Sequence, residues 1–313
     1  MRALMAIDGQ LAVSDHEDPR PRDGEVLVRV HAAGLNAADL LQLRGRYAPP
    51  PGTPNADVLG LEFAGEVLAG GPRTGRFGPG DRVMAIVGGG AHAELVAVDE
   101  RVLLAVPENV DLVSAGGFPE AFTTAHDALF TQAGLKVGER LLVHGAAGGV
   151  GTAAVQLGHA AGAEVVASVR NREHHEAVAA LGARVIDPST FVESGPFDVI
   201  LELVGAPNLP GDIQALAPDG RISVIGTGAG AQAQVNLGAL MVKRGRIYGS
   251  TLRARPLERK VLAADAVARD VLPLLQRGAI RVPIAETFAL EDAAAAYVRF
   301  EAGGKLGKII LTV

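Results

Sequence analysis

Residues 141–169 read LLVHGAAGGVGTAAVQLGHAAGAEVVASV: an apolar strand pattern, a glycine turn, a helix pattern and a second strand. These residue types at this spacing can hold the pyrophosphate of a dinucleotide. Gly148 and Gly149 let backbone come close to phosphate oxygens, and Gly151 lets the following helix pack tightly on a sheet. With Ala147 and Val150 they form a turn whose first helical N–H groups and positive dipole end face an anion. A glycine cluster alone says little. Its position, directly after a strand and opening a helix, is what makes it a nucleotide turn. The alternative is a tight strand-to-helix connection with no ligand.

The tip of the second strand chooses between dinucleotides. An acid about 20 positions after the turn usually holds the ribose hydroxyls of NAD. Here the tip reads Val169, Arg170, Asn171, Arg172, with no carboxylate. Guanidinium groups grip a ribose 2′-phosphate through charge-assisted, often bidentate hydrogen bonds. The expected cofactor is therefore NADPH, with Arg170 and Arg172 as phosphate ligands and Asn171 as a lesser one. Glu173 keeps NADH open, and two arginines solvated at a helix start are the competing reading.

Around this unit, 313 residues are enough for two domains, and 48% hydrophobic with 20% charged residues describe a globular chain. A net charge of −6 offers no basic footprint for nucleic acid. Without cysteine there is no disulfide, no thiolate metal ligand and no cysteine nucleophile. The start MRALMAIDGQ lacks the apolar run of a signal peptide, and no stretch reads as a bilayer span, so a cytoplasmic location is the default expectation.

The first hundred residues read as short strands between turns, among them VLVRVHAAGL, VLGLEFAGEVLA, RVMAIV and AELVAVD, which predicts a compact β-rich domain or partly open barrel. From Ser114 helices and strands alternate: LLVHG, EVVASV, FDVILELVG, GRISVIGTG and GRIYGSTL are strands of a doubly wound parallel sheet, an α/β fold. The closing segment through KIILTV has the texture of the first domain. The expected organisation is a β-rich domain in residues 1–112, an inserted nucleotide domain in 113–255, and a return segment in 256–313 that completes the first. Substrate is expected in the cleft between the domains, outside the carboxyl ends of the parallel strands. Val204, Gly205 and Gly226 should lie at that carboxyl edge near the nicotinamide.

The cofactor turn, PRDGEVLVRVHAAGLNAADL, the GDRV turn and the terminal GKIIL together resemble the medium-chain dehydrogenase/reductase superfamily over nearly the whole chain. LNAADLLQLRGRYAPPPG and FPEAFTTAHDAL look like its zinc-independent quinone oxidoreductase branch, related to zeta-crystallin. The resemblance implies a GroES-like catalytic domain around a Rossmann domain, NADPH as hydride donor, and a homodimer. Where the zinc alcohol dehydrogenases of the superfamily carry Gly-His-Glu, this chain has Gly60-Leu61-Glu62, and no cysteine exists to supply thiolates. Zinc needs three protein ligands for catalysis. Asp39, Glu62 and the scattered histidines could in principle form another site, but His174 and His175 are adjacent, a poor spacing for two ligands, and no metal is expected. Ala146 at the first glycine position of GxGxxG is common in this branch.

Without a Lewis acid an unactivated ketone is a poor substrate, whereas a quinone is already electrophilic and needs a nearby hydride and hydrogen bonds to the developing oxyanion. The expected reaction is hydride transfer from NADPH to a quinone or similar conjugated carbonyl, with the proton coming from water or a site hydroxyl. Tyr47, in the proline-stiffened RYAPPPG, could stack on a flat acceptor and donate to its oxygen; alternatively it packs at the domain interface. Asn36 can offer an amide to substrate or ribose, or hold loop backbone, and Asp39 could relay a proton or cap the helix after it. By the resemblance, Thr124 matches a threonine beneath the nicotinamide, and Arg253 and Lys308 reach the pyrophosphate or the cleft mouth. Glu62 and Gln156 are read as structural. The competing functions are an NADPH-dependent enone or enal reductase and a non-catalytic, crystallin-like or sensor NADPH-binding protein. GRIYGSTL is the expected dimer edge.

Overall fold

A computed structural model describes residues 1–7 and 10–313. In chain order, β1 (Arg2–Ile7) and β2 (Gln10–Asp15) form an antiparallel hairpin that the sequence pattern did not reveal. Next come β3 (Glu25–Gly34), α1 (Ala37–Leu43), β4 (Glu62–Gly70), β5 (Arg82–Ile86), β6 (Leu95–Asp99), β7 (Leu104–Ala105), α2 (Leu112–Gly116) and α3 (Pro119–His126). Alternation follows through β8 (Arg140–Val143), α4 (Gly149–Ala160), β9 (Glu164–Ser168), α5 (His175–Ala179), β10 (Arg184–Ile186), β11 (Phe197–Glu202), α6 (Leu209–Ala215), β12 (Leu216–Val224), α7 (Leu237–Lys243) and β13 (Arg246–Gly249). The chain closes with α8 (Leu257–Asp270), α9 (Leu272–Gln276), β14 (Ile284–Ala289), α10 (Ala293–Glu301) and β15 (Lys308–Thr312).

Two compact units result, Met1–Thr123 with Leu252–Val313, and Thr124–Thr251. In the first, the strands run in the order β14-β15-β3-β4-β5-β7, with β6 also paired to β3. Alternation in β3 turns Val26, Val28 and Val30 inward, onto Phe63, Val67, Val83, Val96 and Val98. Each such buried side chain contributes about 1.5–3 kcal/mol relative to exposure. β15 pairs antiparallel with β3, Ile310 opposite Gly34, and Leu35 N donates to Ile309 O at 3.0 Å. That register sets the start of β15 beside the start of α1. The GroES-like, mostly antiparallel character expected of this part is what is found.

The second unit holds a parallel sheet in the order β10-β9-β8-β11-β12-β13. This is the Rossmann order, and the winding reverses between β8 and β11, where ligands of such sheets bind at the carboxyl ends. Its central strands β8, β9 and β11 bury consecutive residues, so both faces are covered there, and Leu142, Val166, Ile200, Ile222 and Phe197 are in one core cluster. β10, only three residues long, gives too short a pattern to stand out in sequence. Among the described residues no helix is long and apolar enough to cross a membrane.

Candidate active site

In the second unit the nucleotide turn follows β8. Gly148 is the extended N-cap of α4 (φ −75°, ψ 171°), and Thr152 N donates to its carbonyl at 2.8 Å. The N–H groups ahead of Thr152 have no partner within the helix and point out of its N-terminal end. Gly151 makes this start possible, because a Cβ there would lie 2.6 Å from Ala146 Cα. Ala146 is fully buried, and its N–H reaches Ser168 O at 3.3 Å, tying the turn to the end of β9. A close, side-chain-free turn under a helix start fits a pyrophosphate.

Arg170 and Arg172 are exposed just past β9, on the strand next to β8. Asn171 accepts Glu173 N–H at 3.1 Å and opens a short 3-10 turn, Arg172–His174. At the end of β11, the buried Glu202 carboxylate accepts the N–H groups of Val204 and of Gly205 (2.7 Å) and the Asn208 amide (3.0 Å). Gly226 N donates to Glu202 O at 3.1 Å. Burial raises the Glu202 carboxyl above its ordinary value. His144 Nε2 lies 2.9 Å from Asp212 Oδ1, and both are buried beside Glu202. His144, Glu202 and Asp212 are a trio with ligand-capable atoms within 4.8 Å, which sequence reading missed; Glu202 and His144 spend theirs on the turn and on Asp212. Ala147, Gly148, Gly149, Val150, Gly151, Arg170, Asn171, Arg172, Val204, Gly205 and Gly226 thus share the carboxyl edge of one sheet. Thr124 is buried on α3.

The first unit holds a different cluster. Lys308 Nζ pairs with Glu62 Oε1 at 2.6 Å and donates to Leu35 O (2.8 Å) and Asn36 Oδ1 (2.6 Å). Lys308 and Glu62 are 4% and 0% exposed, so this is an ion pair out of water. Asn36 donates its amide to Glu62 Oε1 (3.0 Å) and Gly34 O (3.1 Å). Its backbone N–H goes to Asp39 Oδ2 at 2.7 Å, so Asn36 is the N-cap and Asp39 the third residue of α1, not the cap of a helix that begins after it. Gly34 leaves room for the pair: a Cβ there would stand 2.9 Å from Glu62 Cδ. Glu120 N–H donates to Glu62 Oε2 at 2.8 Å. Burial pushes the carboxyls of Asp39 and Glu120 up to about 7 each, neighbouring carboxylates add to it, and Lys308 works against it.

Tyr47 and Arg253 form the other part. Arg253 donates to Gly88 O (2.9 Å), Tyr47 O (2.8 Å) and Gln42 Oε1, and its guanidinium lies 4.8 Å from the Tyr47 ring centroid. Arg253 is buried and Tyr47 half-buried. Arg253 and Lys308, expected at the pyrophosphate or the cleft mouth, have their donors on groups of the first unit. His92, which sequence reading passed over, sits near Lys308: burial lowers it to about 4, so it is neutral at pH 7, with Tyr297 Oη 3.1 Å from Nδ1 and Gly34 O 3.4 Å from Nε2. Glu120 was also passed over, because a glutamate directly after a helix-opening proline reads as an ordinary exposed first-turn acid.

Residues 22–108 match the alcohol dehydrogenase GroES-like domain and residues 149–267 the zinc-binding dehydrogenase domain. The chain is 32% identical over 312 residues to a quinone oxidoreductase of Pseudomonas aeruginosa, covering 96% of this chain and 95% of that one. It is 34% identical over 311 residues to erythronolide synthase EryA2 of Saccharopolyspora erythraea, of whose length this chain spans only 8%. Among solved structures, the quinone oxidoreductase of Pseudomonas syringae pv. Tomato DC3000 superposes with a TM-score of 0.88 at 30% identity, over 100% of this chain and 99% of that one.

The zinc implied by the second of these domain names does not fit the first unit. Leu61 is a buried apolar side chain, Glu62 is neutralised by an ammonium at 2.6 Å, and both His92 nitrogens have protein partners. A divalent ion there would have to displace Lys308 against its own charge.

Proposed function

This chain belongs to the medium-chain dehydrogenase/reductase superfamily and is an oxidoreductase, and from that premise we propose that it is a metal-free NADPH:quinone reductase. Bound at the glycine turn, NADPH would supply a hydride from nicotinamide C4. The observation that carries the cofactor choice is the pair of exposed guanidinium groups, Arg170 and Arg172, past β9 where NAD-binding units carry an acid. The acceptor choice is supported by the likeness to quinone oxidoreductases and by a polar cluster that has an ammonium where a Lewis acid would be needed. An acceptor handled this way must be electrophilic on its own, as a quinone is.

Tyr47 is the group assigned to the acceptor: a half-buried ring held from behind by Arg253, able to stack on a flat molecule and donate its hydroxyl. Burial raises its phenol above the ordinary value, so it stays a donor at neutral pH. Thr124, buried on α3, is assigned to the nicotinamide on the strength of the resemblance alone. Asn36, Lys308 and Arg253 act as positioning groups, because Asn36 and Lys308 are bonded to the Glu62 carboxylate and Arg253 to Gly88 O, Tyr47 O and Gln42. A panel of quinones and enones with NADPH tests the assignment. Turnover of quinones is expected. Turnover of enones alone would overturn the acceptor class, and tight NADPH binding without oxidation by any electrophile would make this a binding protein.

A homodimer is part of the same proposal. β13 is an edge strand, and Leu237, Met241 and Val242 on α7, just before it, are 67%, 76% and 78% exposed. Met241→Glu with Val242→Glu is expected to turn a micromolar dimer into a monomer in sedimentation velocity, with little change in the melting temperature. Wild-type protein that sediments as a monomer would remove the dimer.

A further inference from the structure

We propose that the Glu120 carboxyl is the acid that protonates the acceptor oxygen once the hydride has arrived. The proposal deepens the reductase reading and rests on it. Glu120 stands at the first turn of α3, half-buried, and its own N–H is fixed on Glu62. Six charged or titratable groups face it: Glu62 on β4, Asp39 on α1, Lys308 on β15, Lys260 on α8, and Arg253 and Tyr47 from the connecting segments. The cations nearest the cluster are already committed. Lys308 spends its donors on Glu62, Leu35 O and Asn36, and Arg253 spends its fork on Gly88 O, Tyr47 O and Gln42. An ionised Glu120 would meet two carboxyl groups, the committed Lys308 and Arg253, and the Lys260 ammonium, whose own charge burial disfavours.

Glu120 therefore holds its proton more tightly than an ordinary glutamate. Burial, and then Glu62, push it up to about 7, the range in which an acid both carries a proton and gives it up readily at neutral pH. Asp39 is raised to the same value but is fully buried, with Oδ2 on the Asn36 N–H, whereas Glu120 is only half-buried. Tyr47 is its electrostatic neighbour, raised first by burial and then by the charge of Glu120. Hydrogen bonds tie both to α1: Glu120 N–H is fixed on Glu62, which also accepts the amide of Asn36 at the start of α1, while Gln42 on α1 accepts from the Arg253 guanidinium that holds Tyr47 O. Hydride addition to a quinone gives a hydroquinone monoanion. The Glu120 O–H bond then breaks as a new O–H bond forms on that oxyanion, and the Glu120 carboxylate regains its proton from water.

Glu120→Gln keeps the shape and removes the proton. Wild-type kcat/KM for a para-quinone should fall as pH rises through about 7, the value to which Glu120 is pushed, because the acid must be protonated. In the variant it should be lower by about 100-fold and flat between about pH 6 and 9. Two readouts are independent of turnover. The melting temperature at alkaline pH should not fall below wild type, since the amide has no charge to bury. The wild-type minus variant infrared spectrum should show a protonated-carboxyl band that disappears near pH 7. A variant that keeps both the wild-type rate and the alkaline decline, or a difference spectrum without that band, would overturn the proposal. Wild type that oxidises NADPH with no electrophile would defeat the reductase reading itself, a result separable from the other two.

Discussion

Lys308→Met is expected to destabilise the protein by about 3–5 kcal/mol, the usual cost of removing one partner from a buried ion pair. The methionine fills much of the same space but leaves Glu62, 0% exposed, without its ammonium, and leaves the carbonyl of Leu35 and the Asn36 amide oxygen each short of a donor. Urea denaturation should show a lower midpoint with an unchanged slope. Adding Glu62→Gln should recover part of the loss, because the two residues act as a pair. The deficit should also grow with pH. Asp39 and Glu120 are raised to about 7 in the folded protein, so the folded state binds more protons than the unfolded chain between the ordinary carboxylate values and 7. The stability these groups contribute is fully present at low pH and is lost as pH rises through their folded values. Lys308 eases ionisation of both. Without it their folded values rise further and the alkaline loss deepens. A variant as stable as wild type at pH 8 would show that the cluster is wet and the pair screened.

Arg170→Ala with Arg172→Ala is expected to raise the KM for NADPH by about 100-fold, as loss of hydrogen bonds to a charged phosphate at roughly 1.5 kcal/mol each implies. The KM for NADH should change by no more than about threefold, because NADH has no phosphate for these side chains to hold. Both arginines are exposed and lie on a turn organised by Asn171 and Glu173, so their removal should leave the fold intact. A pyrophosphate defect would raise both constants together. Equal effects on the two cofactors would withdraw the 2′-phosphate assignment while leaving the nucleotide turn in place.

The second unit was largely legible in sequence because its determinants are local. A buried strand, a glycine turn and a helix face follow one another in a single run, and Gly151 does in space what its position suggests, admitting the helix where a Cβ would collide with Ala146. The cluster of the first unit was only partly legible because its parts meet through the register of distant strands. Lys308 reaches Glu62 and Asn36 because β15 pairs with β3, a contact 272 residues apart in the case of Asn36. Nothing near Lys308 announces that partner, and the resemblance pointed only to the pyrophosphate or the cleft mouth. Arg253 and Tyr47 are a similar case, joined across 206 residues. His92 and Glu120 had no signal of their own: a histidine is informative only once its surroundings are dry, and Glu120 stands out only once Glu62 and Asp39 are beside it.

The most direct measurement is a single-turnover reaction of protein shown by metal analysis to contain no zinc, mixed with a para-quinone and NADPH deuterated at one or the other face of C4. Oxidation of NADPH on first mixing, slowed by deuterium on one face and not the other and unaffected by added zinc, is the expected result. Protein that consumes no NADPH until zinc is supplied, or consumes it with no isotope effect on either face, would contradict direct, metal-free hydride transfer by this chain.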